Sequence, residues 1–439
     1  MYSSRALLLS LSGFLGVACG ESQVADAEED SISGIAPGKI GYQVIGNCWA
    51  YTTTAWLEAL HVRAGGTRID FSEAYLTYWN MFDGLVAPQT ASLEVSNFNN
   101  VSRTLVQRGI MFERQFAPIE GATAEASALA DLKKWIASGA LERAPTEAVA
   151  RRKYMRAAVD DAWKLSPGRR AAFDALFGSD LSKTLVGAPA SVLQTYGVVR
   201  PSDLTVAIYQ PRASAPRVGR LSELVNDSST ISSTYFRKPD STLRVMFFPS
   251  GRKPVAPFTA ANVPAYYDGE ALTFADQRTF FRQIQRVLHQ GIPVWGSWWV
   301  DTSARQADSG AFVQTPSLMS ARDMSKVSYG GHASLFIDYQ AKLADGTLLE
   351  AGKSITDPNL LRRSLDKNTV LQFFRIQNSW GANGVWPNRP PGTYDLSAQY
   401  LSEPKNLKCR PGPNGSLTAP TCTPDSFFNT VALPLNIEP

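Results

Sequence analysis

The chain has 439 residues, of which 44% are hydrophobic and 19% are charged. This is enough to build the core of one large or two medium domains, and it excludes a disordered or fibrous protein. The formal net charge of +4 comes from 43 basic and 39 acidic residues scattered along the chain, without the Lys and Arg run of a nucleic-acid groove, so we exclude nucleic acid as a partner.

The N-terminal segment has the pattern of an export signal. Arg5 precedes an apolar run over residues 6–18, which is too short to span a bilayer and has the length of a signal-peptide core. The stretch LGVAC, which ends at Cys19, resembles a bacterial lipobox, although Gly16 stands where that motif usually has Leu. We expect a signal peptide over 1–19, a linker over 20–39 and an exported protein. Either Cys19 carries a lipid anchor in the bacterial cell envelope, which would be the one membrane contact, or the protein is secreted after cleavage nearby.

Export gives the four cysteines different expected fates. In an oxidising compartment thiols tend to pair, and three cysteines remain if Cys19 is acylated or lost with the signal peptide. Cys409 and Cys422 flank a Pro/Gly-rich loop, so we expect them to form a disulfide. Cys48 is then left over, which marks it as a candidate reactive thiol. No CxxC or HExxH pattern occurs among the three histidines and four cysteines, so we expect no metal and no cofactor.

The predicted elements run from helices to strands. A helical pattern starts after Asn47, a plausible N-cap, and stops at Gly65; Ser72 opens a second helix, and a helix-rich block covers about 123–178. Strand patterns follow, in segments such as TLRVMFF, IPVWGSWWV, HASLFIDYQ and LQFFRIQ. This order predicts an α+β fold with a helical N-terminal part and a β-rich C-terminal part. Cys48 falls in the first turn of its helix, where the helix dipole favours a thiolate.

A thiol nucleophile needs a base, and histidine is the natural partner. His61 lies thirteen residues along the same helix as Cys48, roughly 20 Å away at about 1.5 Å per residue, and His289 ends a helix, where a structural role fits. His332 remains as the candidate base. Asn378, at the end of a predicted strand, can orient its imidazole through a hydrogen bond.

Three motifs together resemble a known family. GNCWAY, GGHASLFI and RIQNSWG, in the order Cys, His, Asn, resemble the three motifs of papain-like cysteine peptidases. FSEAYLTYWN and LVQRGIMFERQFAP are similar to the family segments that follow the catalytic helix, so the resemblance covers about half of the chain. YLTYW, the helix-rich insertion and GIPVWGSWW are most similar to the bleomycin hydrolase and aminopeptidase C branch, whose cytoplasmic location the export signal does not match.

The resemblance implies a role for each matching residue. Cys48, with Trp49 beside it, would be the nucleophile, His332 the general base and acid, and Asn378 the orienting residue. Trp380 would shield the His–Asn hydrogen bond, and a low thiol pKa would follow from the Cys–His pairing. The oxyanion-hole Gln would be Gln43, which stands five residues before Cys48 where the family has six, with Tyr42 at the sixth place.

The resemblance also implies a papain-like two-lobed fold over 40–439. We expect a helical lobe over 40–122, a helix-rich insertion over 123–265 and a mainly β lobe with a C-terminal extension over 266–439. The expected function is an exported thiol peptidase that hydrolyses peptide or protein substrates through a thioacyl-enzyme. Two alternatives stay open: a papain-fold binding protein that has lost hydrolysis, and a transglutaminase-like acyl-transfer enzyme. The sequence does not specify the substrate, exo- or endopeptidase action, or the oligomeric state.

Overall fold

The structure is a computed structural model. It describes residues 35, 38–87, 92–116, 122–185, 187–225, 243–247, 274–313, 330–382, 386, 389–402, 404–410, 421–426, 428–434 and 437. The expected signal peptide, its Cys19 and most of the expected linker lie outside this part of the chain.

Helices dominate the first half of the described chain. They are α1 (Cys48–Arg63), α2 (Glu73–Val86), α3 (Phe98–Arg108), α4 (Glu113–Phe116), α5 (Ala122–Ala137), α6 (Ala148–Ala162), α7 (Pro167–Phe177), α8 (Ala190–Tyr196), α9 (Phe274–Leu288), α10 (Pro358–Ser364) and α11 (Ala398–Ser402). Ser72 caps α2 as predicted, since its hydroxyl accepts a hydrogen bond from the N–H of Tyr75 at 3.2 Å.

Strands dominate the second half. They are β1 (Ile110–Met111), β2 (Val198–Val199), β3 (Thr205–Ile208), β4 (Arg217–Arg220), β5 (Leu243–Phe247), β6 (Val294–Val300), β7 (Gly330–Lys342), β8 (Leu348–Leu349), β9 (Val370–Gln377), β10 (Thr393–Ser397), β11 (Pro404–Arg410), β12 (Thr421–Ser426) and β13 (Phe428–Pro434). The predicted α+β class is confirmed, because most of the helices precede the strands of an antiparallel sheet along the chain.

One antiparallel sheet carries most of the strands. Its order among the described residues is β10-β9-β7-β6-β13-β5, with β8 paired to β7. The register pairs Trp298 of β6 with His332 of β7, and Leu335 of β7 with Gln377 of β9. Asn378 directly follows β9, so the register brings it to the same end of β7 as His332.

The helix α1 lies between the other helices and this sheet. It packs against α2 and α3 on one side and against β3, β6 and β7 on the other. Its buried residues cover most of its circumference, and Tyr51, Ala55 and Glu58 form one half-buried stripe. This packing sets the first turn of α1 against the start of β7.

No helix among the described residues has both the length and the apolar character needed to span a lipid bilayer.

Candidate active site

Cys48 is the first residue of α1, and its sulfur faces the start of β7. The Cys48 side chain is 7% exposed, and its Sγ accepts a hydrogen bond from the N–H of Ala333 at 3.2 Å. Ala333 directly follows His332, so this contact brings the thiol to the residue beside the predicted base. The backbone N–H groups of Trp49 and Cys48 also stabilise negative charge on the sulfur.

Asn47 occupies the N-cap position, but its side chain does not cap the helix. Its Nδ2 donates instead to Thr77 Oγ1 of α2 at 3.1 Å, and the whole residue is buried. Asn47 is therefore at the predicted N-cap position, but its side chain makes no hydrogen bond to the N–H groups of the first turn. Because the Asn47 side chain does not accept from them, the first N–H groups of α1 are available to the Cys48 sulfur.

His332 and Asn378 form a short hydrogen bond. His332 Nε2 lies 2.5 Å from Asn378 Oδ1, and the same oxygen accepts the N–H of Ser379 at 2.8 Å. Since a backbone N–H only donates, the atom facing it is the amide oxygen, and Nε2 of His332 must carry a hydrogen. In the neutral ring Nδ1 is then free of a proton and can accept one.

Tryptophans enclose the imidazole. The ring of Trp380 lies 4.8 Å from that of His332, and Trp298 presents its ring at 5.6 Å and 84°. Trp298 is itself fixed by a hydrogen bond from its Nε1 to Ser334 Oγ at 3.1 Å. Trp380 and Trp298 thus form two aromatic walls beside the imidazole, and the shielding of the His–Asn hydrogen bond by Trp380 stays a prediction.

Burial opposes charge on both members of the pair. It raises the pKa of the Cys48 thiol to about 11, although the N–H groups of Ala333, Trp49 and Cys48 act in the other direction. It also lowers the pKa of His332 to about 4, against the effect of the Asn378 hydrogen bond. Burial therefore acts against the lowered thiol pKa that the helix dipole and the pairing with His332 predict, and that lowered pKa stays a prediction.

Gln43 lies beside the Asn378 end of the site. Its N–H donates to the carbonyl of Ser379 at 2.8 Å, and the N–H of Gly381 donates to the carbonyl of Gly41 at 2.9 Å. Residues 41–43 therefore run antiparallel to 379–381. The Gln43 Oε1 accepts the Ser379 hydroxyl, and its Nε2 donates one hydrogen to the Ile45 carbonyl at 3.0 Å, which leaves the second amide hydrogen for another acceptor.

Trp49 and the two remaining histidines make hydrogen bonds away from the Cys48 sulfur. Trp49 donates from Nε1 to the carbonyl of Glu94 at 2.7 Å. His61 Nδ1 contacts the carbonyl of Thr205 at 2.8 Å, and His289 Nε2 contacts the Tyr339 hydroxyl at 2.7 Å. Neither histidine takes part in the site around Cys48.

Backbone register sets Cys409 opposite Cys422. The two residues are direct Cα partners in the antiparallel pair of β11 and β12. Facing positions of this kind are compatible with the Cα separation of a disulfide, and the bond itself stays a prediction. Within the described chain, no group of three or more His, Cys, Asp or Glu residues could hold a metal ion.

Sequence reasoning missed several residues of the site. Trp298 stands in an aromatic strand pattern that could have marked it, but its contact with His332 depends on strand register. Ser379 belongs to the NSWG motif, yet its hydrogen bonds to Asn378 and Gln43 were not expected. Glu125 of α5, which hydrogen-bonds Tyr51 of α1 and Thr77 of α2, gives no local signal, because it comes from a distant helix.

No family model and no curated protein sequence matches the chain. Among solved structures, it is similar to PepW from Lactobacillus rhamnosis HN001, at 14% identity and a TM-score of 0.41, over 92% of this chain and 82% of PepW. It is also similar to digestive procathepsin L 3 of the Tenebrio molitor larval midgut, at 12% identity and a TM-score of 0.33, over 86% of this chain and 67% of that one. Both TM-scores are low, so neither likeness carries weight for the family or the activity of this chain.

Proposed function

We propose that this protein is a papain-like thiol peptidase, with a two-lobed fold, that hydrolyses peptide bonds through Cys48, His332 and Asn378. The observation that carries the proposal is the buried cluster in which the N–H next to His332 contacts Cys48 Sγ while His332 bonds Asn378. The motifs around these residues resemble those of papain-like peptidases in sequence and in order.

The first half of the reaction forms a thioacyl-enzyme. Nδ1 of His332 takes the proton of Cys48 Sγ, and the resulting thiolate attacks the peptide carbonyl carbon. The carbonyl oxygen becomes an oxyanion, which the Cys48 N–H and the second amide hydrogen of Gln43 would bind. When the intermediate collapses, the C–N bond breaks and His332 gives its proton to the leaving amine.

The second half releases the enzyme. His332 takes a proton from water, which attacks the thioester carbonyl, and the C–S bond then breaks. The proton returns to the sulfur, and the acid product leaves. Asn378 keeps the imidazole in the tautomer that these transfers need, since its oxygen holds the hydrogen on Nε2.

One observation favours a second candidate. The Gln43 amide already donates to the Ile45 carbonyl, and its spacing from Cys48 is one residue short of the family pattern. If it cannot reach the oxyanion, the chain is a papain-fold binding protein that has lost hydrolysis.

Two assays separate these functions. An electrophilic thiol probe should label wild type and not Cys48→Ser, and a peptide library should be cleaved by wild type alone. Labelling without cleavage of any peptide would favour the binding protein. Transfer of the acyl group to added amines, in place of hydrolysis, would favour the transglutaminase-like enzyme.

We further propose that the protein is exported and is anchored in the cell envelope through a lipid on Cys19. The apolar run before LGVAC supports this proposal. Mass spectrometry of the mature N-terminus decides between a lipidated Cys19 and a soluble form cleaved nearby.

A further inference from the structure

A tyrosine of α1 supports the strand that carries Gln43. Tyr51 lies one turn after Cys48, and its hydroxyl is 3.3 Å from the carbonyl of Tyr42. Its ring lies directly under Gly41, where any side chain would overlap the ring atoms. The backbone on both sides of Tyr42 is therefore seated on the Tyr51 side chain, and Gln43 is the next residue along.

A buried carboxyl group holds the other side of the Tyr51 hydroxyl. Glu125 of α5 is 1% exposed, and its Oε2 lies 3.1 Å from the Tyr51 hydroxyl oxygen. Its Oε1 accepts from Thr77 Oγ1 at 3.1 Å, and the side chain of Asn47, next to Cys48, also hydrogen-bonds it. Glu125 thus joins α5 to both the start of α1 and Tyr51.

A second contact joins the same helix to the same region. Lys133 of α5 forms an ion pair with Glu94 at 2.6 Å. Glu94 in turn accepts the N–H of Gly46 at its Oε2, at 3.1 Å, and the Trp49 Nε1–H at its carbonyl. Glu94 therefore contacts residues on both sides of Cys48, and its carboxylate is paired with Lys133 of α5.

The Tyr51 hydroxyl lies between two oxygen acceptors. The Tyr51 hydroxyl has one hydrogen and two acceptors within reach, Glu125 and the Tyr42 carbonyl. If Glu125 holds a proton, it donates to the Tyr51 oxygen, and the Tyr51 hydrogen is free for the Tyr42 carbonyl. The Tyr51 hydroxyl then contacts both Glu125 and the Tyr42 carbonyl. Burial raises the pKa of Glu125, against its hydrogen bonds with Asn47, Thr77 and Tyr51, which agrees with this arrangement.

We propose that Tyr51 and Glu125 are positioning residues for the oxyanion hole, which hold residues 41–43 so that the Gln43 amide meets the oxyanion. This inference rests on the proposed thiol-peptidase function. It assigns a role in catalysis to a helix of the inserted block, although neither residue touches the substrate or the reacting atoms.

Kinetics of Tyr51→Phe test the proposal most cleanly, because only the hydroxyl is removed. We expect kcat to fall between about tenfold and 10²-fold, as for a misplaced catalytic group, with KM changed by less than about twofold. Alkylation of Cys48 should keep its wild-type rate. Glu125→Leu should match Tyr51→Phe, whereas Glu125→Gln, whose amide can still donate to Tyr51, should restore most of the activity.

A double variant tests the route through Gln43. If Tyr51 acts by placing that amide, Gln43→Ala combined with Tyr51→Phe should be no slower than Gln43→Ala alone. Tyr154→Phe and Asp131→Asn, in the same helical block, are the matched controls. Full activity in Tyr51→Phe, an additive double variant, or a parallel loss of Cys48 alkylation would each overturn the proposal.

Amide exchange tests the same support without any turnover. The N–H groups of Gln43 and Gly381 close the short ladder between 41–43 and 379–381, so they should exchange faster in Tyr51→Phe and Glu125→Leu but not in the controls. A wild type that cleaves nothing would contradict the proposed function while leaving this measurement valid. Unchanged exchange in both variants would contradict the support itself.

Discussion

The oxygen of Asn378 lies 2.5 Å from Nε2 of His332 and also accepts the N–H of Ser379. This pair of contacts fixes both the amide orientation and the imidazole tautomer, so the free Nδ1 is the nitrogen available to Cys48. Three residues that are far apart in the sequence are therefore prepared for proton transfer before any substrate binds.

Replacing Asn378 with Ala should lower kcat by about 10²-fold or more, the scale of general acid–base catalysis. The change removes the acceptor that holds the hydrogen on Nε2, and it leaves that N–H buried without a partner. Steady-state kinetics on a peptide substrate measure the effect. Asn359→Ala, at an exposed helix start, is the control. Unchanged kcat in Asn378→Ala would mean that the imidazole is oriented by its aromatic neighbours alone.

Gln43→Ala should keep labelling of Cys48 by a thiol probe but lose turnover. Removal of one oxyanion-hole donor costs about 10²–10³ in kcat, while the thiol and its base are untouched. Gln372→Ala, an exposed glutamine on β9, controls for the loss of an amide elsewhere. Equal turnover in both variants would assign the oxyanion contact to another group, such as Tyr42 or Asn47.

The alkylation rate of Cys48 should be constant from about pH 5 to pH 8. In this range the paired Cys48 and His332 hold one proton between them, and its transfer from Sγ to Nδ1 changes no proton count. The fraction of reactive thiolate–imidazolium is therefore independent of pH in this range. At lower pH a second proton on the pair blocks the transfer, and the rate should fall.

The same rate in His332→Ala tests the pairing. An isolated buried thiol is almost wholly protonated at pH 6, so labelling should slow by about 10²-fold or more and should rise with pH. His61→Ala should behave as wild type. A wild-type rate that rises only above about pH 8, as for an unpaired thiol, would show that His332 is not the base.

Glu73→Gln should make the protein less sensitive to alkaline pH. Burial raises the pKa of Glu73 to about 8, helped by Glu113 and Glu58, although Thr54 donates to its carboxylate at 2.7 Å. The folded chain keeps this proton to about pH 8, whereas the unfolded chain releases it above about pH 4.5. The free energy of unfolding therefore falls as pH rises through this window, by at most ~1.4 kcal/mol per unit.

Urea unfolding at pH 5.5 and pH 8 measures the difference. The fall in the free energy of unfolding between the two pH values should be smaller in Glu73→Gln than in wild type. Glu142→Gln, at an exposed position, should show the wild-type fall. An identical pH dependence in all three proteins would contradict the raised pKa of Glu73.

Cys409 and Cys422 should be linked to each other in exported protein. Their facing positions in β11 and β12 close a loop of twelve intervening residues, so losing the bond should cost about 3 kcal/mol. Peptide mapping without reductant identifies the bond, and urea unfolding of Cys409→Ser with Cys422→Ser gives its contribution. A bridge from Cys48 to either residue would instead remove the nucleophile.

The sequence predicted which helix and strand ends carry the three candidate catalytic residues. Cys48 at a helix start, His332 near the start of a strand and Asn378 after a strand were all read from hydrophobic periodicity and motif order. The α+β class followed from the same succession of helices and strands. The papain-like two-lobed arrangement and the domain boundaries remain predictions.

Burial and side-chain contacts that depend on long-range packing could not be predicted from the sequence. The thiol pKa depends on the desolvation of Cys48 between α1 and β7, and no local pattern reports that burial. The Asn47 side chain hydrogen-bonds Thr77 of α2 instead of capping α1, and this contact depends on how the two helices pack. Glu125 reaches the site from α5, more than seventy residues after Asn47 in the sequence, so its contacts follow only from the packed structure.

The most direct test of the central claim is a mass measurement on the enzyme during turnover. Wild type is mixed with an activated peptide ester, quenched in acid and digested, and the Cys48 peptide is weighed. We predict an acyl group on Cys48 that disappears as the ester is consumed, and none in Cys48→Ser. Hydrolysis that proceeds equally in Cys48→Ser, or an acyl group at another residue, would contradict the thiol-peptidase account.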